Sequence, residues 1–310
     1  MTEQKIPQQT PPTSLLRVAV LALVAHAVFS AFSAFAFATF LVPPYPEWLQ
    51  TPTNQRAMAI GYTWGGQTTV VLGAIAGLAF LMHAIGKRLA LITFVVAFVL
   101  ALSSELAGTA TGFPFGAYGY TDQLGYKIGG LVPFNIPTSW FYMLVASLAI
   151  CGRTLAARDD NASKWWWSLV ASLVLTAWDV SMDPAMVKTR HWLWLGGDLS
   201  DAPALLRLIG TPFFFGMPLT NWLGWILTGV LVARAMLAIV PPTTWARQVA
   251  PHTLPLVLYA VNGLLPLTIC FAQDMVLAGV LGTIAMGLPL LLAFRRRLPQ
   301  HATQHATLAR

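Results

Sequence analysis

Eight apolar stretches, each about long enough to cross a bilayer, constrain this chain more than anything else in it. They run roughly over 15–41, 62–82, 89–108, 136–152, 165–184, 219–240, 254–272 and 274–294. A spanning helix needs ~20 mostly apolar residues, and only helices or closed barrels satisfy their backbone inside lipid. The pattern predicts an all-α, polytopic membrane protein with about eight transmembrane helices. Composition agrees: 56% of the 310 residues are hydrophobic and 9% charged, against ~25% charged in soluble domains. The expected organisation is a disordered tail over 1–14, one helical membrane domain over 15–294, and a basic, disordered tail over 295–310. The first stretch is too long for the apolar part of a leader peptide and is read as a retained helix. Pro255 and Pro266 predict a kink in the seventh.

Basic residues give the orientation. With the N terminus in the cytoplasm, only Arg56, Lys127, Lys188, Arg190 and Arg207 of the 18 Lys and Arg fall on the outer side. The positive-inside rule then places both termini in the cytoplasm, with the cytoplasmic (inner) membrane as the expected location. The net charge of +7 marks inner loops rather than a nucleic-acid-binding face, so no nucleic acid is expected. Two long outer loops, about 109–135 and 185–218, are rich in Gly, Pro and aromatics. That composition suits folded caps better than linkers. Phe134–Trp140 and Phe215–Trp222 echo each other faintly at the starts of the fourth and sixth helices.

Within this apolar frame, acids are costly and mark function. Asp179 and Asp183 lie four apart and so share a helix face. Glu105 lies near the outer end of the third helix. Asn221 and Asp274 open the sixth and eighth, so the topology brings these polar groups to one depth. An apolar setting disfavours the charged form of a carboxyl, and a second carboxyl one turn away disfavours it further. One of the pair then holds a proton and the other can act as a base. Such a site can protonate an alkene to a tertiary cation. Trp178, Phe113, Phe115, Tyr118, Tyr120 and Trp222 offer π faces to that cation. Water captures it, and a carboxylate takes the spare proton. This chemistry needs neither metal nor other cofactor. The bland readings are that Glu105 is a structural hydrogen bonder, that Asp183 merely ends its helix before Pro184, and that the aromatics are packing. His26 reads as a packed core residue, and Cys151 and Cys270 as small core residues.

Several segments together resemble the polytopic carotenoid-biosynthesis proteins of the CruF type. They are Glu105–Thr109, Thr111–Tyr120, Val132–Phe134, Ala177–Pro184 and Gly216–Trp225, and the resemblance runs over about 60–295. It implies a carotenoid 1,2-hydratase, a hydro-lyase that adds water to the terminal double bond of an acyclic ψ end group, as in γ-carotene or lycopene, giving a 1-hydroxy carotenoid. The implied partners are a carotenoid, water and the bilayer; association with other carotenoid enzymes stays open. The candidate catalytic residues are Asp179, Asp183 and Glu105, with Asn221 orienting water. Two alternatives come from other classes. An intramembrane prenyltransferase would use Asp179 and Asp183 to hold a Mg²⁺-diphosphate, yet its second motif is only Asp198–Asp201, one residue short. A proton-coupled transporter would use the acids as a relay, yet the inner halves of the spans offer little polar lining.

Overall fold

The computed structural model describes residues 13–40, 45–196 and 203–295. Most of both expected tails, and the Asp198–Asp201 pair, lie outside the described residues. Helices α1 (Ser14–Phe40), α2 (Pro52–Ile85) and α3 (Lys87–Thr111) come first. A loop follows with β1 (Tyr118–Tyr120), β2 (Lys127–Ile128) and β3 (Val132–Pro133). Then come α4 (Asn135–Thr154), α5 (Asn161–Lys188), β4 (Trp192–Trp194), α6 (Ala204–Gly210), β5 (Pro212–Phe214), β6 (Met217–Pro218) and α7 (Leu219–Ile239). A helical turn α8 (Pro242–Thr244) runs into a π turn, Trp245–Val249, and leads to α9 (Leu254–Asn262), α10 (Leu264–Ala272) and α11 (Val276–Arg295). Eight helical segments among the described residues are long and apolar enough to cross a membrane, counting α9 and α10 as one. This is a multi-pass membrane protein.

Element ends differ from the apolar windows where caps decide them. Helix α2 starts at Pro52, ahead of the expected 62, because the Thr51 side chain accepts from the Asn54 amide and Pro52 takes the first helical position. Its opening turns are helical but polar, which hydropathy does not register. Helix α5 starts at Asn161, where the Asp160 carboxylate accepts from the Ser163 amide at 2.8 Å. It runs on to Lys188, so Asp183 lies inside the helix rather than ending it. The seventh span is interrupted at Gly263, between the two prolines expected to disturb it. Pro266 has no N–H for the Asn262 carbonyl four residues back, and the Trp178 indole donates to that carbonyl instead, at 2.9 Å.

Helix α4 is the buried centre, with every side chain from Pro137 to Gly152 buried. It packs on α2, α3, α5 and α9; α3 and α5 both also pack on α7, closing a ring of four helices. Small residues let α5 and α7 approach closely. A Cβ on Gly229 would come within 2.4 Å of Ser172 Oγ, and that hydroxyl donates to the Ile226 carbonyl at 2.8 Å. The outer faces of α1, α3 and α11 expose Leu, Val and Phe, as lipid-facing helices do.

The all-α expectation needs one correction, because the loops hold three two-stranded ladders. The important one joins the two long loops: β1 pairs antiparallel with β4, setting Tyr118 opposite Trp194 and Tyr120 opposite Trp192. Alternate residues of a strand share a face, so four large rings line one side of this ribbon.

Candidate active site

Under that ribbon lies a cavity of about 140 Å³, roughly ten times what one water requires. Its walls are mainly aromatic and aliphatic. Helices α1, α2, α3, α4, α5 and α7, the break between α9 and α10, and both long loops contribute to it. Two acids border it, Glu105 from α3 and Asp183 from α5.

Glu105 is buried and held by three donors. Tyr118 and Tyr120 donate their hydroxyls to Oε2 at 2.5 and 2.7 Å, and the Trp140 indole donates to Oε1 at 3.0 Å. The strand β1 delivers both tyrosines, because Tyr118 and Tyr120 fall on its cavity side. Burial and the neighbouring carboxylate push both phenols well above their usual range. They therefore remain donors.

The aspartates are arranged differently. The single Asn221 amide nitrogen donates to Asp179 Oδ2 at 3.1 Å and to Asp183 Oδ2 at 2.5 Å. The Trp192 indole donates to Asp183 Oδ1. Asp179 is fully buried and does not line the cavity; its Oδ1 lacks a donor in good geometry, with the Trp222 indole its neighbour. A spacing of four thus gathers the pair on one face, as the sequence implied, and Asn221 spans both.

The expected aromatic residues divide. Trp178, Phe115, Tyr118 and Tyr120 line the cavity. Phe113 does not: it is 67% exposed, because a turn over 113–115 breaks the alternation that would have put it beside Phe115. Trp222 does not line the cavity either. It follows Asn221 by one residue, about 100° around the helix, and packs on Phe214 at 5.2 Å between ring centroids. Trp225, one turn beyond Asn221, takes the wall position and stacks on Trp140 at 4.6 Å. Asp274 is exposed in the α10–α11 turn and takes no part. Trp140, Trp192, Trp194 and Trp225 are site residues that the sequence reading missed. The turn spacing of Asn221 and Trp225 was a usable signal, whereas the pairing of two distant loops was not.

Deeper in the cavity, Tyr142 donates to the Asn262 side-chain oxygen at 3.1 Å. His26 is buried with Nδ1 at 2.8 Å from the Thr69 carbonyl and Nε2 at 3.3 Å from the Asn262 amide, which agrees with a packed core histidine. His191 also lines the cavity, and burial pushes its imidazole down to about 4.

A model of the family described as carotenoid biosynthesis protein matches residues 65–289. Bisanhydrobacterioruberin hydratase of Haloarcula japonica is 28% identical over 125 residues, a stretch covering 40% of this chain and 37% of that protein. No solved structure matches.

Proposed function

The chain belongs to the carotenoid biosynthesis protein family, and from that membership and the cavity geometry we propose that it is a carotenoid hydratase. The distant likeness to a hydratase supports this class. The substrate we assign is a carotenoid with an acyclic ψ end, of the γ-carotene or lycopene type. Its product is the 1-hydroxy carotenoid. The observation that carries the reading is the placement of Glu105 and Asp183, from two helices, on one aromatic-walled apolar cavity.

The polyene end enters the cavity, and Asp183 delivers a proton to the less substituted carbon of the terminal double bond. The new C–H bond leaves a cation on the dimethyl carbon. Trp178, Trp225 and Tyr118 line the cavity and supply the π systems that stabilise it. Water forms the C–O bond there, and its surplus proton passes to Glu105. Return of that proton to Asp183 resets the site, so the net change is addition of one water. Asp179 shares the Asn221 amide with Asp183. Two carboxylates one turn apart are costly to charge together, so Asp179 tunes the proton that Asp183 carries. We place the protein in the cytoplasmic membrane with both termini inside, on the distribution of basic residues.

The test is expression in a bacterial host that accumulates lycopene or γ-carotene, with growth in normal and ¹⁸O-labelled water. The expected result is a pigment heavier by one water with the label in its hydroxyl. Unchanged pigment, with the protein present in the membrane, would overturn the reading for these substrates.

A further inference from the structure

Most of the large polar side chains on the cavity wall are engaged. Tyr118, Tyr120 and Trp140 serve Glu105; Trp192 and Asn221 serve Asp183; Tyr142 and Trp178 serve Asn262. Among the described wall residues, Asn135 and Trp194 carry buried polar atoms with no hydrogen-bond partner. Asn135 is the more telling. It is 1% exposed, opens α4, and leaves both its amide nitrogen and its amide oxygen without a partner inside the protein. Burying an unpaired amide is costly, and buried polar groups are almost always satisfied by protein or by ordered water.

We propose that Asn135 binds the water that attacks the substrate. This rests on the hydratase reading. The reacting end of the proposed substrate is pure hydrocarbon and offers an amide no hydrogen bond, whereas the second reactant is water. A nucleophilic water must turn a lone pair toward the cation, so both its hydrogens need acceptors. Asn135 Oδ1 is one. Ser139 stands four residues on, on the same helix face, and also lines the cavity. Its hydroxyl proton goes to the Ile136 carbonyl at 2.8 Å, which leaves its oxygen lone pairs to accept. The next residue, Trp140, reaches Glu105 Oε1. One helix thus presents a water-holding pair beside the link to the carboxylate that takes the water's proton. As the C–O bond forms, the hydrogen held by Ser139 turns from it to Glu105, its O–H bond breaks, and the proton passes to that carboxylate, while Asn135 keeps the other hydrogen.

A misplaced water leaves the cation a second exit, loss of a neighbouring C–H proton to return an alkene. In D₂O that exit writes deuterium into unhydrated carotenoid, so hydration and exchange are counted in one mass spectrum. Membranes carrying the wild-type chain, Asn135→Leu and Asn135→Asp would be incubated with lycopene in D₂O. Leu has nearly the same volume but no hydrogen bond. For Asn135→Leu the exchange-to-hydration ratio is expected to rise about tenfold or more. Asn135→Asp keeps an acceptor and is expected to stay close to the wild-type ratio. Should Asn135→Leu fail to accumulate, the same rise is expected of Asn135→Ala. An unchanged ratio in the apolar variants, or exchange and hydration falling together, overturns the assignment. A wild-type chain that gives neither product overturns the hydratase reading and this one with it.

Discussion

Glu105 and the Asp179–Asp183 pair serve one site but are held in opposite ways. Three donors from two segments enclose Glu105, leaving its carboxylate little freedom. The aspartates share one amide nitrogen, and Asp179 keeps an oxygen that lacks a donor in good geometry. A carboxylate surrounded by fixed donors is preorganised to remain an acceptor. A pair bridged by one amide can redistribute a proton with little rearrangement. The lesson is that carboxyl groups at one site can be held very differently, according to the number of donors aimed at each oxygen.

Substitutions can break that comparison. Glu105→Gln is expected to have the largest effect. It removes the base, lowering hydration by roughly 10²–10⁴-fold, and it turns an NH₂ group toward donors, costing about 1–3 kcal/mol of stability. Pigment analysis and melting in detergent would read both; an active variant that melts lower would make Glu105 a structural anchor only. Asp183→Asn is expected to lose activity on the same scale and also to melt lower, because its new NH₂ faces the Asn221 amide nitrogen, which cannot turn away without losing Asp179 as well. Asp179→Asn is expected to cost less, about tenfold, since Asp179 acts through its neighbour. If it cost more than Asp183→Asn, the two roles would have to be exchanged. Tyr118→Phe and Tyr120→Phe each remove one donor from Glu105 and are expected to slow hydration by about fivefold; equal rates would show that Trp140 alone suffices. The smallest effect concerns His191. Its lowered pKa means the folded chain resists a proton that the unfolded chain accepts below about 6.5, the ordinary histidine value, so stability falls as pH drops from there toward about 4. His191→Gln is expected to flatten that slope in a melting series against pH.

Much of this arrangement was readable from local rules. Apolar length located the spans, and helical spacing put Asp179 and Asp183 on one face and Asn221 near them. What escaped was set by contacts between segments far apart in the chain. Nothing local says that Tyr118–Tyr120 pairs with Trp192–Trp194, yet that pairing brings Trp192 to Asp183. Phe113 and Trp222 were misjudged because a turn and a 100° helical step decide which neighbour faces inward. Asp274 shares a chain position with helix starts but not their surroundings. Asn135 was visible only as part of a faint echo, since being unpaired is a property of a folded environment.

Phe115 carries a last consequence. A Cβ on Gly108 or on Gly224 would come within 2.6 Å of its ring, so the side chain is seated between bare backbone on α3 and α7, and Thr220 donates to its carbonyl at 3.1 Å. The roof of the cavity is therefore a keystone, set when the helices assemble. The entropy of ordering it is lost once, in folding, and not again at each catalytic cycle. A roof so seated belongs to the fold itself and is not a lid that a guest must order on arrival.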